Sequence, residues 1–176
     1  MFKKILIALA AVVIVFLAVA AFQSPDCRIS RSAVVAAPPA TVFEQINDYH
    51  KWVDWSPWAK MDPAMKQTFE GPPAGTGAIY SWAGNSKVGE GRMTITESDP
   101  AKRVSMRLEF LKPFAATNTA EFTLAPEANG TRVTWTMIGK KNFAMKAMGL
   151  LMNMDKLVGA DFEKGLSNLK EIVEKK

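Results

Sequence analysis

Side-chain catalysis begins with a nucleophile, a base or a metal held at workable spacing, and this sequence is sparing with all three. It holds one cysteine, Cys27, and one histidine, His50. Together they make neither a CxxC pair, nor a zinc cluster, nor an intrachain disulfide. No run of Asp and Glu has the spacing of a carboxylate metal site. His50 would have to serve as the base of any Ser–His or Cys–His scheme, yet no GxSxG-type elbow accompanies it. A helix-surface or packed role suits it better. The reading is therefore of a chain with no metal and no cofactor. The net charge is +5, without a block of five like charges or a nucleic-acid motif. A nucleic-acid partner is not expected, whereas weak attraction to an anionic membrane surface fits the same excess.

What remains is apolar surface with a few polar groups set into it. RVSMRLEFL (103–111) alternates strictly, with Val104, Met106, Leu108 and Phe110 on one face. FAATNTAEFTLAP (114–126) alternates too, and places Asn118 among Phe114, Ala116, Ala120 and Phe122. A buried amide left unbonded costs about 1–3 kcal/mol, so Asn118 needs a backbone, water or ligand partner. GAIYSWAG (77–84), GRMTITES (91–98) and TRVTWTMIG (131–139) add Tyr80, Trp82, Met93, Ile95, Trp135 and Met137 to the inward face. These side chains fill a core or line a pocket, since ligand sites are largely apolar with a few convergent polar groups. Glu90 and Arg92 are further inward polar candidates.

Three tryptophans crowd HKWVDWSPWAKMDP (50–63). Trp52 follows Tyr49 by one helical turn and Trp55 follows Trp52 by another, so the cluster reads as a structural wedge. Trp58, past the proline, is the ring placed to reach a cavity. FAMKAMGLLMNM (143–154) carries Met145, Met148, Met152 and Met154, flexible side chains suited to varied apolar partners. The candidate cavity residues are thus Tyr80, Trp82, Met93, Met106, Leu108, Phe110, Asn118, Phe122, Trp135, Met148 and Met152. Asp161 and Phe162 complete them from the C-terminal segment.

The elements that must position these residues follow from the same patterns. RISRSAVVA (28–36) reads as a first strand. Thr41-Val42-Phe43-Glu44 has capping-box spacing, although Pro38 and Pro39 could instead open the helix. Asn47-Asp48 divides the helical stretch in two, and Pro57 should end it near Ser56. MKQTFEG (65–71) is a short strand, and the strands after it follow without intervening helices. That predicts an antiparallel meander of about six to seven strands, wet on one face and covered on the other. From Met154 to Val173 an apolar stripe, Met154, Leu157, Val158, Phe162, Leu166, Leu169, Ile172 and Val173, predicts a helix of roughly 30 Å to cover it. Asp161 lies at the edge of that stripe. Gly165, near its middle, points to close packing against a large neighbour such as a tryptophan, or to cavity space.

Residues 1–26 stand apart. Lys3 and Lys4 precede 18 uninterrupted apolar residues, Ile5 to Phe22, which would span roughly 27 Å as a helix. The basic start keeps that end cytoplasmic and puts the remainder outside, periplasmic or extracellular. A retained anchor through residues 5–22 is favoured over a signal peptide cleaved after Ala18-Val19-Ala20, because the run is longer than a signal core of about 7–15 residues.

Several stretches carry a resemblance: APPATVFEQINDYHKWVDWSPW (37–58), GTGAIYSWAG (75–84), NGTRVTWTM (129–137) and MNMDKLVGADFEKGLSNL (152–169). Over residues 27–176 the chain resembles the polyketide cyclase/dehydrase branch of the SRPBCC, or START-like, superfamily. The resemblance implies an α+β helix-grip fold: a curved antiparallel sheet wrapped on a long C-terminal helix, with two short helices after the first strand. It also implies a cavity between sheet and helix for lipids or other apolar molecules. No catalytic signature of the family carries over to residues of this chain. The expected function is an externally facing, membrane-anchored domain binding a hydrophobic or amphipathic small molecule. A cyclase- or dehydrase-like enzyme is the alternative, and a protein-interaction module a further one.

Overall fold

The computed structural model describes residues 1–175. Helix α1 (Phe2–Phe22) is apolar from Ile5 onward, after Lys3 and Lys4 in its first turn, and Ala20 is its one buried residue. Strand β1 (Asp26–Val35) follows. Helix α2 (Pro39–Asn47) opens on Pro39 at its first position, so the prolines begin the helix and Thr41 lies inside its first turn. The capping-box alternative is not used.

Asp48 then caps a single tight turn, Tyr49–Lys51, by accepting the backbone N–H of His50. The chain continues into α3 (Trp52–Trp55) and α4 (Pro57–Met61). Pro57 was expected to end the helical stretch. It ends α3 but starts α4, since a proline at a first helical position sacrifices no hydrogen bond.

Six strands come next: β2 (Lys66–Glu70), β3 (Ile79–Ala83), β4 (Glu90–Asp99), β5 (Arg103–Lys112), β6 (Ala116–Glu127) and β7 (Gly130–Lys140). They form one seven-stranded antiparallel sheet in the order β1-β7-β6-β5-β4-β3-β2. Register shifts at Glu90/Gly91 and Ile95/Glu97 interrupt the β4–β5 ladder, and such bulges increase local twist and curvature. Two helices close the chain, α5 (Phe143–Leu151) and α6 (Met154–Glu174). Asn142 and Asn153 cap them by accepting the backbone N–H of Met145 and Lys156. The architecture is the α+β helix grip expected from the sequence.

Helix α6 lies across the inner face and buries Phe162, Leu166, Leu169 and Val173. Gly165 and Gly159 explain how closely it settles. A Cβ at Gly165 would stand 2.8 Å from Cζ3 of Trp135 and 3.2 Å from Pro57, and Gly159 lies under the Arg31 guanidinium. Arg31 reaches from β1 to Asp155 (3.0 Å) and Glu163 (2.7 Å), tying α6 to the sheet edge. Its hydrogen bond holds the Asp155 carboxyl below the usual carboxylate range.

The register defines two ends of the sheet. Asp26 pairs with Lys140, Phe110 with Ala116, and Glu90 with Lys112. The β3–β4 and β5–β6 hairpin tips, the start of α5 and the end of α1 therefore share one end. The β6–β7 turn lies at the other, about 33 Å away along the eleven residues of β7.

Candidate functional site

Between the inner face of the sheet and α6 lies a cavity of about 370 Å³. Alternation along the strands puts Tyr80 and Trp82, Met93, Leu108 and Phe110, Asn118 and Ala120, and Trp135 and Met137 on its wall. Helix α6 contributes Met154, Val158, Asp161 and Phe162, whose spacing of four, three and one falls on one helical face. Trp52, Ser56 and Trp58 close the inner end. The mouth is rimmed by the β3–β4 tip (Lys87 to Gly89), the β5–β6 tip (Lys112 to Phe114), Lys140 and Lys141, and Met145 and Met148 of α5.

The aromatic rings order the wall. Trp135 stacks on Phe162 at 4.2 Å with planes 2° apart, joining sheet to helix, and Trp58 meets Trp135 edge-on at 5.7 Å. Tyr80 stacks on Trp82 at 5.8 Å. The Trp82 indole donates to the Val88 carbonyl at 3.1 Å and so fixes the β3–β4 tip beside the mouth.

Four polar groups interrupt the apolar surface. Burial pushes the Tyr80 hydroxyl up to about 12, so it stays protonated at neutral pH and available as a donor. Desolvation also raises the Asp161 carboxyl above its ordinary value. The Asn118 amide donates to Sδ of Met137 at 3.7 Å, and its oxygen covers Gly139, where a Cβ would sit 1.8 Å from it. The buried Trp135 indole N–H has no partner among the described residues. No hydrogen bond joins Tyr80, Asn118 and Asp161 to one another among the described residues. They are separate polar points in an apolar space and form no proton relay. No three His, Cys, Asp or Glu among the described residues gather to hold a metal.

Several expectations need correction. Met106 and Phe122 do not line the cavity; both are fully buried, because α2 and α3 cover that end of the sheet. Met106 instead accepts from the Tyr49 hydroxyl at 3.8 Å, and Phe122 packs on Trp52, Trp55 and Trp135. Met152 terminates α5 and is 47% exposed, outside the cavity. Arg92 alternates with Met93 and faces the other side of the sheet, where it pairs across to Ser81 and Glu109. Glu90 binds Lys112 at 2.8 Å at the exposed rim.

Of the tryptophans, Trp55 is wholly core, Trp52 is core with one edge on the cavity, and Trp58 lines it from within α4. His50 stacks on Phe69 and contacts Asp48, away from the cavity. Sequence reasoning missed Cys27, Ile29, Gln67 and the two hairpin tips as cavity residues. Their one signal was position beside strands already assigned inward faces.

Over residues 26–174 the chain matches the family described as polyketide cyclase/dehydrase and lipid transport, and it belongs to that family. No curated protein matches it. Among solved structures it is similar to protein CV1439 from Chromobacterium violaceum, with TM-score 0.60 and 17% identity over 84% of this chain and 97% of that one. It is also similar to the Aha1 dimer from Colwellia psychrerythraea, with TM-score 0.60 and 16% identity over 84% and 96%. A third is the di-domain ARO/CYC StfQ from the steffimycin biosynthetic pathway, with TM-score 0.64 and 12% identity over 85% of this chain and 51% of that one. At these identities the shared property is the fold.

Proposed function

We propose that this chain is a membrane-anchored domain that binds a hydrophobic or amphipathic small molecule, lipid-like in character, between its sheet and C-terminal helix. Residues 1–26 form the anchor, with the N-terminus cytoplasmic, and residues 27–176 form the binding domain outside. The observation that carries this reading is the cavity itself: about 370 Å³, walled by aromatic and methionine side chains, with unlinked polar groups at Tyr80, Asn118 and Asp161. Its size lies toward the small end of ligand sites, which span about 300–1,000 Å³. A single-chain or fused-ring amphiphile suits it better than a two-chain lipid. The apolar body would lie against Trp82, Phe110, Met137 and Phe162, and a polar end would meet Tyr80, Asn118 or Asp161.

Native mass spectrometry of the gently purified protein tests this directly. The expected result is a co-purified ligand, or uptake from a panel of fatty acids, sterols and aromatic polyketides. A protein that emerges empty and takes up no panel member refutes binding. Cys27 supplies a second readout, because it lines the cavity and a bound ligand should slow its alkylation.

A dehydrase- or cyclase-like activity is the second reading, favoured by one observation: two titratable groups, Tyr80 and Asp161, share the cavity wall. A panel compound recovered lighter by one water, or as an isomer of the same mass with altered chromatographic retention, would select it, whereas compounds recovered unchanged in both mass and retention support binding alone.

A further inference from the structure

Helix α5 is apolar in sequence, FAMKAMGLL, yet none of its residues is buried. Phe143 is 51% and Leu151 76% exposed, and Leu111 and Phe114 of the neighbouring β5–β6 tip are 58% and 50% exposed. Phe114 lines the cavity mouth, and the other three stand on the elements that flank it, at the end of β5 and on α5. A soluble domain gains nothing from gathering exposed apolar side chains at one end; such a patch marks an interaction surface.

The chain itself indicates what covers it. Helix α5 packs against α1, and the Lys146 ammonium reaches the Ala21 carbonyl at the end of α1, 3.4 Å away. The Lys141 amide donates to the Pro25 carbonyl at 2.7 Å. A helix that crosses a bilayer must leave it beside α5. Charge agrees, because Lys87, Lys140 and Lys141 stand at the mouth and form no ion pair among the described residues. Lysines ringing an apolar patch suit anionic headgroups around an acyl-chain layer.

We infer that α5 and the Leu111–Phe114 tip seat the cavity mouth in the outer face of the anchoring membrane, so that an amphiphile passes between bilayer and cavity without crossing water. The inference rests on α1 lying in a bilayer, as proposed above. The occupant is the lipid surface itself, with its apolar layer on Leu111, Phe114, Phe143 and Leu151 and its anionic headgroups on Lys140 and Lys141.

The test uses the full chain carrying Cys27→Ser, reconstituted into phosphatidylcholine vesicles with and without phosphatidylglycerol. Single cysteines at Val13, Phe114, Leu151 or Asn129 carry a nitroxide, and accessibility to oxygen and to a water-soluble nickel chelate is read by electron paramagnetic resonance. Phe114 and Leu151 are exposed, so labelling them leaves the core intact. The expected result is that labels at Phe114 and Leu151 are oxygen-accessible and nickel-protected, like the Val13 label, while Asn129 in the far β6–β7 turn is nickel-exposed. If Phe114 and Leu151 behave like Asn129 while Val13 stays in lipid, the seated mouth is wrong and the anchor stands. If Val13 itself is aqueous, the anchor fails and the inference falls with it. Shielding of Phe114 and Leu151 from both reagents would show that another protein covers the face, and would also overturn the inference. Lys140→Gln with Lys141→Gln should weaken nickel protection at Leu151 only in vesicles containing phosphatidylglycerol. An unchanged reading there refutes the headgroup contact.

Discussion

Under α2 and α3, Trp52, Trp55, Phe122 and Trp135 meet with ring centroids 4.6–6.2 Å apart, and the Trp55 indole donates to the Gln45 carbonyl. At the α1 end, Trp82, Phe110 and Met137 project from the same inner face into the cavity. The residue types differ little between these two regions; the cover differs. The first is closed by α2, α3 and α6 together. The second has α6 on one side and only hairpin tips and α5 around the opening. Whether an apolar side chain becomes core or cavity wall thus depends on how many elements converge over it.

Substitutions at the two ends should separate accordingly. Trp55→Ala removes a fully buried ring from the closed end and should cost about 3–5 kcal/mol, measured by urea denaturation. A loss below 1 kcal/mol would show that the two ends are packed alike. Asn168→Ala comes next. Its buried amide donates to the Trp55 carbonyl at 2.9 Å, and leaving that acceptor unpaired should cost about 1–3 kcal/mol. Met148→Ala at the mouth should change stability by no more than about 0.5 kcal/mol while weakening uptake of whichever panel compound binds. Equal losses of stability at Met148 and Asn168 would erase the distinction between the ends.

Asp161→Asn gives the smallest effect, and its sign depends on pH. The folded-state carboxyl is raised by desolvation, so the unfolded chain ionises first as pH increases past about 3.9. Asp161 therefore costs stability above that point and nothing well below it. The asparagine variant should be the more stable at pH 7 and equal to the parent near pH 3. A variant less stable at pH 7 would mean that the carboxylate is held by a favourable partner.

Much of this was legible beforehand for local reasons. Period-two alternation marked β5, β6 and β7 and the faces that Leu108, Phe110 and Trp135 present. The period-3.6 stripe marked α6 to within one residue at its C-terminal end. Gly165 in that stripe signalled close packing, and the neighbour is Trp135. Other features were not legible. Met106 and Leu108 look identical in pattern, yet one is covered by Tyr49 of the short helices and the other faces the cavity. Pro57 can end one helix or begin the next, and the sequence does not choose.

By itself, then, the sequence determined the elements, their inward faces and an apolar segment long enough to cross a membrane, because each depends on the order of side chains within about twenty residues. The tertiary structure decided which inward residues pack and which surround empty space. It also decided that Lys87, Phe114, Lys140 and Met148 meet at one mouth beside the end of α1. Those outcomes depend on strand register and sheet curvature, which bring together residues more than fifty positions apart in the chain.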